Sequence, residues 1–557
     1  LLTFRGGACH PSAVLHRTFN KKVFMSRSIG RYVVELLAAN GIDTVFGIPG
    51  VHNLELYRGL AESNIRHVLV RHEQGAGFAA DGYARLSGRP AAAFTISGPG
   101  LTNIMTAVAQ AYSDSIPLLV IATTPVRASL GKQWGVLHEL PNQCALASGV
   151  FGVARSAASA EDVRDHLRLC LASLRAGRPR PAYLEIPLDV LSEPTTLPAA
   201  RFADPAPLPQ APAGQIDAAV RLLAGAARPV IIAGGGAREA ADELLALVET
   251  LDCPLVTTTA GKGLLPQAHR NNLGTSLHHA SVQALVSGAD AVLAVGTELG
   301  ETDFYYALKL TLRGRLIRID IDPNKLADHY AAEIPVWGDA PGALRAIRLG
   351  LPARATARAG SLTPAGSATA MRREIERGFD AKAVAQLNAL AAIRAALPRD
   401  GVVFTDMTQI AYFGNYAYPV DGPRQWFHPS GYGTLGFALP AAIGAKFSNP
   451  ARAVLALAGD FGLQFTLGEL MTAVEAGLNL PLVVWNNAAL GQIRDDMVAA
   501  GIPPTDVIAR NPDFMALARA CGAAAVRASG VGALTAAVGD ALKHPAPTLI
   551  EALAEDF

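Results

Sequence analysis

The stretch Ala453-Val454-Leu455-Ala456-Leu457-Ala458-Gly459-Asp460, together with Leu482-Val483-Val484-Trp485-Asn486-Asn487, decides the fold. Each is a continuous apolar run that stops at polar residues. A strand covered on both faces reads this way, because neither face alternates with water. Between them, residues 469–478 have helical spacing. Strand, acid, helix, strand, amide is a parallel α/β unit. Consecutive parallel strands set their C-terminal ends side by side, and ligands bind in the crevice beyond those ends. Asp460 and Asn487 are therefore expected to share one crevice. A carboxylate, an amide oxygen and a nearby backbone carbonyl are hard oxygen donors that suit Mg²⁺, and the helix start after Asp460 turns backbone amides toward an anion.

Working outward, the same alternation recurs. The block of residues 380–557 adds strands at 402–405 and 548–550. The block 25–192 has a helix at 28–40 that Gly41 ends, then strands at 45–47, 91–96, 117–122 and 182–187. The block 215–350 has strands at 230–233, 255–258, 291–295 and 316–321. Residues 193–214 and 351–370, rich in Pro, Ala, Gly and Thr, read as linkers. The fold class is α/β, with three consecutive open parallel-sheet domains. Gly234-Gly235-Gly236 follows a strand, but the full dinucleotide fingerprint with its downstream acid is missing, which favours packing over cofactor binding.

Composition agrees. At 557 residues the chain is too long for one core. Half of it is hydrophobic, 17% is charged and the formal net charge is +1. That balance carries no footprint for nucleic acid or an acidic membrane surface, and no run of about 20 apolar residues reads as a membrane span. Five scattered cysteines without a CxxC pair point to a reducing, cytoplasmic setting. Residues 1–24 hold Arg5, Arg17, Lys21 and Lys22 and no acid; they read as a leader or mis-set start and stay outside the fold argument.

The first block also carries Arg71-His72-Glu73-Gln74-Gly75-Ala76 and Ala80-Asp81-Gly82-Tyr83-Ala84-Arg85, and the third carries Gly433-Thr434-Leu435-Gly436-Phe437-Ala438-Leu439-Pro440. With the Asp460–Asn487 pair, these strings resemble the thiamine diphosphate enzymes of the acetohydroxyacid synthase and 2-oxo acid decarboxylase superfamily, from Ser26 to the C-terminus. The resemblance implies a pyrimidine-binding, a central and a diphosphate-binding domain, with thiamine diphosphate and Mg²⁺ as cofactors. It makes Glu73 the activating acid, its carboxyl meeting the pyrimidine ring. It gives the metal to Asp460, Asn487 and the Ala489 carbonyl. Gly433, Leu435, Gly459, Phe461, Gly462 and Gly491 join them at the cofactor. Phe461 stands where many members have Gly. The resemblance further implies a homodimer or homotetramer with active sites at the subunit interface.

Departures from the synthase pattern bear on the substrate. Leu188 replaces a lysine, His138 replaces a glutamine, and Asp496, beside Arg494 and Asp495, replaces a tryptophan. A guanidinium pairs with carboxylates in bidentate fashion. The chain looks like the 2-ketoarginine decarboxylases, and the expected substrate is 5-guanidino-2-oxopentanoate, read by Asp495 or Asp496. His52 and His138 are candidate proton relays. The alternative is an acetolactate synthase joining two pyruvates.

Overall fold

The computed structural model describes residues 26–305, 309–352, 367–508 and 510–557. The leader, residues 1–24, and most of the expected second linker lie outside them. Three six-stranded sheets, parallel throughout, follow one another along the chain. The first runs, in spatial order, Arg66–Leu69, Thr44–Gly47, Ala91–Thr95, Leu118–Thr124, Ala182–Pro187, Val153–Ser156. The second runs Asn272–Gly274, Leu255–Thr257, Pro229–Ala233, Ala291–Val295, Arg315–Asp320, Ile334–Trp337. The third runs Trp426–Phe427, Val402–Thr405, Val454–Gly459, Pro481–Asn486, Thr548–Leu553, Ala524–Arg527.

Each sheet is buried on both faces, which explains the unbroken apolar runs. In the first, Leu119 and Ile121 enter one core while Leu118 and Val120 enter the other. In the third, Val454, Ala456 and Ala458 face one core and Leu455 and Leu457 the opposite one. The four interior strands of every sheet are those the apolar runs mark. The edge strands differ: Arg66–Leu69, Val153–Ser156 and Ala524–Arg527 are part-exposed and mixed in polarity, and Ile334–Trp337 alternates buried and exposed residues.

The first helix spans Ile29–Ala39, capped by the Ser28 hydroxyl, which accepts from the Arg31 N–H. The chain after the first block does not hang free. Pro194–Thr195 pairs antiparallel with Arg27–Ser28, and Leu197, Ala199 and Phe202 pack on the first block's core. The end of the expected second linker forms a helix, Ser367–Arg377, whose Ala368, Met371 and Ile375 cover the second sheet.

Gly234 and Gly236 are explained by packing: a Cβ on Gly234 would lie 2.5 Å from the Gly296 carbonyl oxygen, and one on Gly236 would lie 2.8 Å from the Gly296 Cα. Among the described residues, no helix is long and apolar enough to cross a membrane, and Cys144, Cys170, Cys253 and Cys521 form no disulfide.

The first and third blocks are joined by a close helix crossing. Glu73–Ser87 packs on Ala438–Ser448 so tightly that a Cβ on Gly444 would sit 1.7 Å from the Ala79 carbonyl oxygen, and one on Gly82 would sit 2.0 Å from that of Ala441. Phe78 joins the third block's core and meets Phe437 edge to face at 5.4 Å.

Candidate active site

Val454–Gly459 and Pro481–Asn486 are neighbours in register, Gly459 opposite Trp485. Asp460 and Asn487 therefore leave adjacent strand ends, as the sequence pattern requires. Asp460 opens the helix Asp460–Gln464 and is 2% exposed. Asn511 donates its amide to Asp460 Oδ2 at 2.6 Å and to Asn486 Oδ1 at 3.0 Å, and is itself held by Gln464 at 3.2 Å. Burial raises the Asp460 pKa, while the Asn511 amide and backbone N–H groups pull it down.

Among the described residues no Lys, Arg or His forms an ion pair with Asp460. A buried carboxylate without a cation is costly unless something neutralises it. Asn487 accepts from the Ala489 N–H at 3.2 Å and donates to Gln409 Oε1 at 3.4 Å, and Ala488 takes a left-handed φ of 50° between them. This donor set of carboxylate, amide oxygen and carbonyl fits a hard divalent ion, with Asp460, Asn487 and the Ala489 carbonyl as its holders.

Glycines line the crevice where side chains would fill it. A Cβ on Gly491 would meet Asn487 Nδ2 at 2.4 Å and Gln409 Oε1 at 2.6 Å, and one on Gly459 would meet Thr408 Oγ1 at 2.9 Å. Gly462 backs onto the Asp406 carboxylate. Phe461 is half-buried, 6.1 Å from the Phe465 ring. The helix Gln409–Ala417 begins here, and no side chain caps it.

Sequence reasoning missed Asp406. It is 1% exposed and accepts from the Met407 N–H at 2.8 Å and the Gly436 N–H at 3.0 Å. Burial pushes its pKa up to about 6, against those backbone bonds. It ties the Gly433–Gly436 turn, whose two glycines have φ of 71° and 81°, to the end of Val402–Thr405. The first block holds the same turn. Gln110 Oε1 accepts from the Thr434 N–H at 3.2 Å and hydroxyl at 2.9 Å, and Asp114 accepts from the Gly431 N–H at 2.8 Å. Leu435, in the middle, is half-buried.

Glu73 is the first residue of its helix, 9% exposed, and its Oε2 accepts from Asn103 at 2.9 Å. The turn before it is fixed from the third block: Glu469 Oε1 accepts from the Arg71 and His72 N–H groups at 3.0 and 3.1 Å. Glu469 is buried, and burial raises its pKa. Nothing in the local sequence around Glu73 signals this partner.

Nearby, His52 and His138 meet edge to face at 4.8 Å. His52 Nδ1 shares a proton with the Ser97 hydroxyl at 2.9 Å, and burial followed by the neighbouring His138 lowers its pKa. The carbonyl of His138 crowds Gly98, where a Cβ would approach to 2.6 Å, and both residues have positive φ. Gln143, a further residue the sequence gave no reason to choose, accepts from the Gly98 N–H at 2.8 Å and donates to the Thr123 carbonyl and the Tyr183 hydroxyl.

The two acids of the Gly491–Ala499 helix differ in their surroundings. Asp495 is bound by Lys382 at 2.6 Å, by Gln409 at 2.8 Å and by the Arg494 guanidinium at 2.9 Å. These partners outweigh its burial and hold its pKa down to about 2. Asp496 is exposed, pairs with no cation among the described residues and accepts from Gln492 at 3.0 Å. Within the chain, no hydrogen bond or ion pair among the described residues joins Glu73 to Asp460 or Asn487.

Family models place this arrangement. Residues 27–146 match the thiamine pyrophosphate enzyme N-terminal TPP binding domain, 216–347 the central domain, and 406–552 the C-terminal TPP binding domain. The chain belongs to the thiamine pyrophosphate enzyme family, with Glu73 in the first cofactor-binding domain and Asp460 and Asn487 in the last. Among its relatives is the probable 2-ketoarginine decarboxylase AruI of Pseudomonas aeruginosa, 49% identical over 89% of this chain and 88% of that protein. The acetolactate synthase isozyme 3 large subunit of Escherichia coli is 31% identical over 92% of each.

Proposed function

We propose that the protein decarboxylates 5-guanidino-2-oxopentanoate to the corresponding aldehyde and CO₂, using thiamine diphosphate anchored through Mg²⁺. The observation that carries the cofactor half is the buried Asp460 carboxylate, which pairs with no cation among the described residues and is set beside Asn487 and the Ala489 carbonyl. The substrate half draws on the activity named for the relative at 49% identity and on the departures at Leu188, His138 and Asp496.

When bound, thiamine diphosphate supplies a carbon nucleophile for the substrate carbonyl and an electron sink for the bond to CO₂. The chain's own residues do the rest. Asn103 fixes Glu73 Oε2, so Oε1 is left to exchange a proton with the pyrimidine ring. Asp406, Gln110 and Asp114 hold the turn that presents the Gly433 carbonyl and Leu435. His52, hydrogen-bonded to the Ser97 hydroxyl, and the His138 ring that meets it edge to face are the groups that would bring a proton to the reacting carbon. Asp496 adds negative potential, whereas Asp495 is already neutralised by Lys382 and Arg494.

The working unit in this reading is at least a homodimer, in which Glu73 of one protomer meets the metal site of its partner. Large apolar residues stand exposed around both halves of the site: Val51 and Trp134 in the first block, Tyr432 and Ile493 in the third. Their burial between protomers removes that surface from water.

A panel of 2-oxo acids tests the proposal, with CO₂ and product measured in the presence of thiamine diphosphate and Mg²⁺. Aldehyde from the guanidino acid is expected. Acetolactate from pyruvate as the main product would replace this reading with the synthase one.

A further inference from the structure

We infer that Glu139, rather than either acid of the Gly491–Ala499 helix, is the residue that reads the substrate's cationic end. The inference rests on the proposed guanidino substrate and says which side chain selects it.

Glu139 lies next to His138, the ring that faces His52, and it lines an open cleft of about 550 Å³ with Gln133, Gly135, Val136, His138 and Pro141. Its Oε2 is fixed by the Gly135 N–H at 2.8 Å. Its Oε1 is shielded from water and has no hydrogen-bond partner among the described residues, as is also true of the adjacent His138 Nδ1.

A carboxylate oxygen held in place, out of water and unmatched, is costly to leave so. A guanidinium N–H satisfies it and neutralises the charge, and the planar fork suits a carboxylate whose other oxygen is already fixed. The rival acids lack this character. Asp495 is saturated by two cations and an amide, and Asp496 sits on a solvated helix face with Gln492.

The loop around Glu139 has open space at two of its glycines. Gly131 and Gly135 have φ of 70° and 73°, and neither has a neighbouring atom within 4 Å of a built Cβ. At its base the loop is fixed by the His138–Gly98 contact, so Glu139 keeps its place beside the histidine pair.

The experiment compares two substrates of nearly equal shape. One is 5-guanidino-2-oxopentanoate, a cation, and the other is its neutral 5-ureido analogue. The readout is the ratio of their kcat/KM values, which a merely structural defect leaves unmoved because it affects both substrates. Wild type is expected to favour the guanidino acid. Glu139→Gln is expected to shrink that ratio roughly 100-fold, the loss of one charged partner from a water-shielded contact. Asp496→Asn should change it less than about fivefold, as an exposed charge does.

Glu139→Asp, which keeps the charge one methylene short, should fall between wild type and Glu139→Gln. It serves as the deciding variant if the glutamine form does not fold. A wild-type ratio retained in Glu139→Gln or Glu139→Asp, or a collapse in Asp496→Asn, overturns the inference and leaves the substrate proposal standing. A wild-type ratio near one overturns the substrate proposal and this inference together.

Discussion

Gly444→Ala separates two opposite expectations. In an unobstructed helix the change stabilises by about 1 kcal/mol, because glycine is the poorer helix former. In this protein the added Cβ would lie 1.7 Å from the Ala79 carbonyl oxygen, and side-chain carbons do not approach closer than 3.0 Å. The two helices must part by more than 1 Å. The obstacle is backbone inside a buried helix, not the end of a flexible side chain.

Overpacking of this kind costs about 1–3 kcal/mol, and the crossing is one of several contacts that join the first and third blocks, beside those of Glu469, Gln110 and Asp114. A net loss of about 2 kcal/mol is expected, or a fall of about 4–8 °C in Tm for a block of this size. Because Glu73 begins the displaced helix, the affinity for thiamine diphosphate should fall as well. Thermal melting with and without cofactor measures both effects. Gly539→Ala, in the open helix Gly530–Ala541 with nothing within 4 Å of the new carbon, is the control and should be neutral or stabilising. If Gly444→Ala proved as stable as that control and bound cofactor normally, the helix-crossing argument would be wrong.

Glu73→Gln keeps the Asn103 contact through its amide oxygen but cannot exchange the proton; kcat should fall about 10²- to 10³-fold with cofactor binding retained, measured by steady-state kinetics and a cofactor titration. Asp460→Asn should raise the Mg²⁺ concentration needed for activation by at least ~100-fold at fixed thiamine diphosphate, followed by intrinsic fluorescence. Lys262 is buried and donates to the Asn415 and Tyr416 carbonyls, at 2.7 and 3.3 Å, across the second and third blocks. Burial lowers its pKa to about 7 from 10.5. Its folded pKa is depressed, so the unfolded chain binds the extra proton, and this group's stabilisation is lost as pH falls from 10.5 through 7. Wild type should therefore gain in Tm over Lys262→Met as pH rises from 6 to 9, and a flat difference would remove the desolvation argument.

What could be read from the sequence divides along burial. Interior strands such as Ala291–Val295 and Val402–Thr405 were legible because both faces are covered, and an apolar run is the only pattern that allows this. Edge strands such as Val153–Ser156 were not, since one side of an edge meets water and its residues need not be apolar. The same division holds at the site. Asp460, Asn487 and Glu73 sit in short local strings with a fixed relation to strand or helix ends. Their supports do not. Glu469 lies 397 residues from the His72 N–H it accepts, and Asn511 lies 51 residues from Asp460. Such pairs are made by the packing of blocks, which no local pattern records. Asp495 illustrates the converse: the neighbouring Arg494 was visible in the sequence, but Lys382, 113 residues away, was not.

Mixing two inactive proteins, Glu73→Gln and Asp460→Asn, under conditions that exchange subunits is the most direct test of the proposed site. If Glu73 serves the metal-anchored cofactor of the opposite protomer, each mixed dimer contains one site with both residues intact, and roughly a quarter of wild-type activity returns at full exchange. Confirmed exchange with no recovered activity would mean that the two residues do not meet across a subunit boundary.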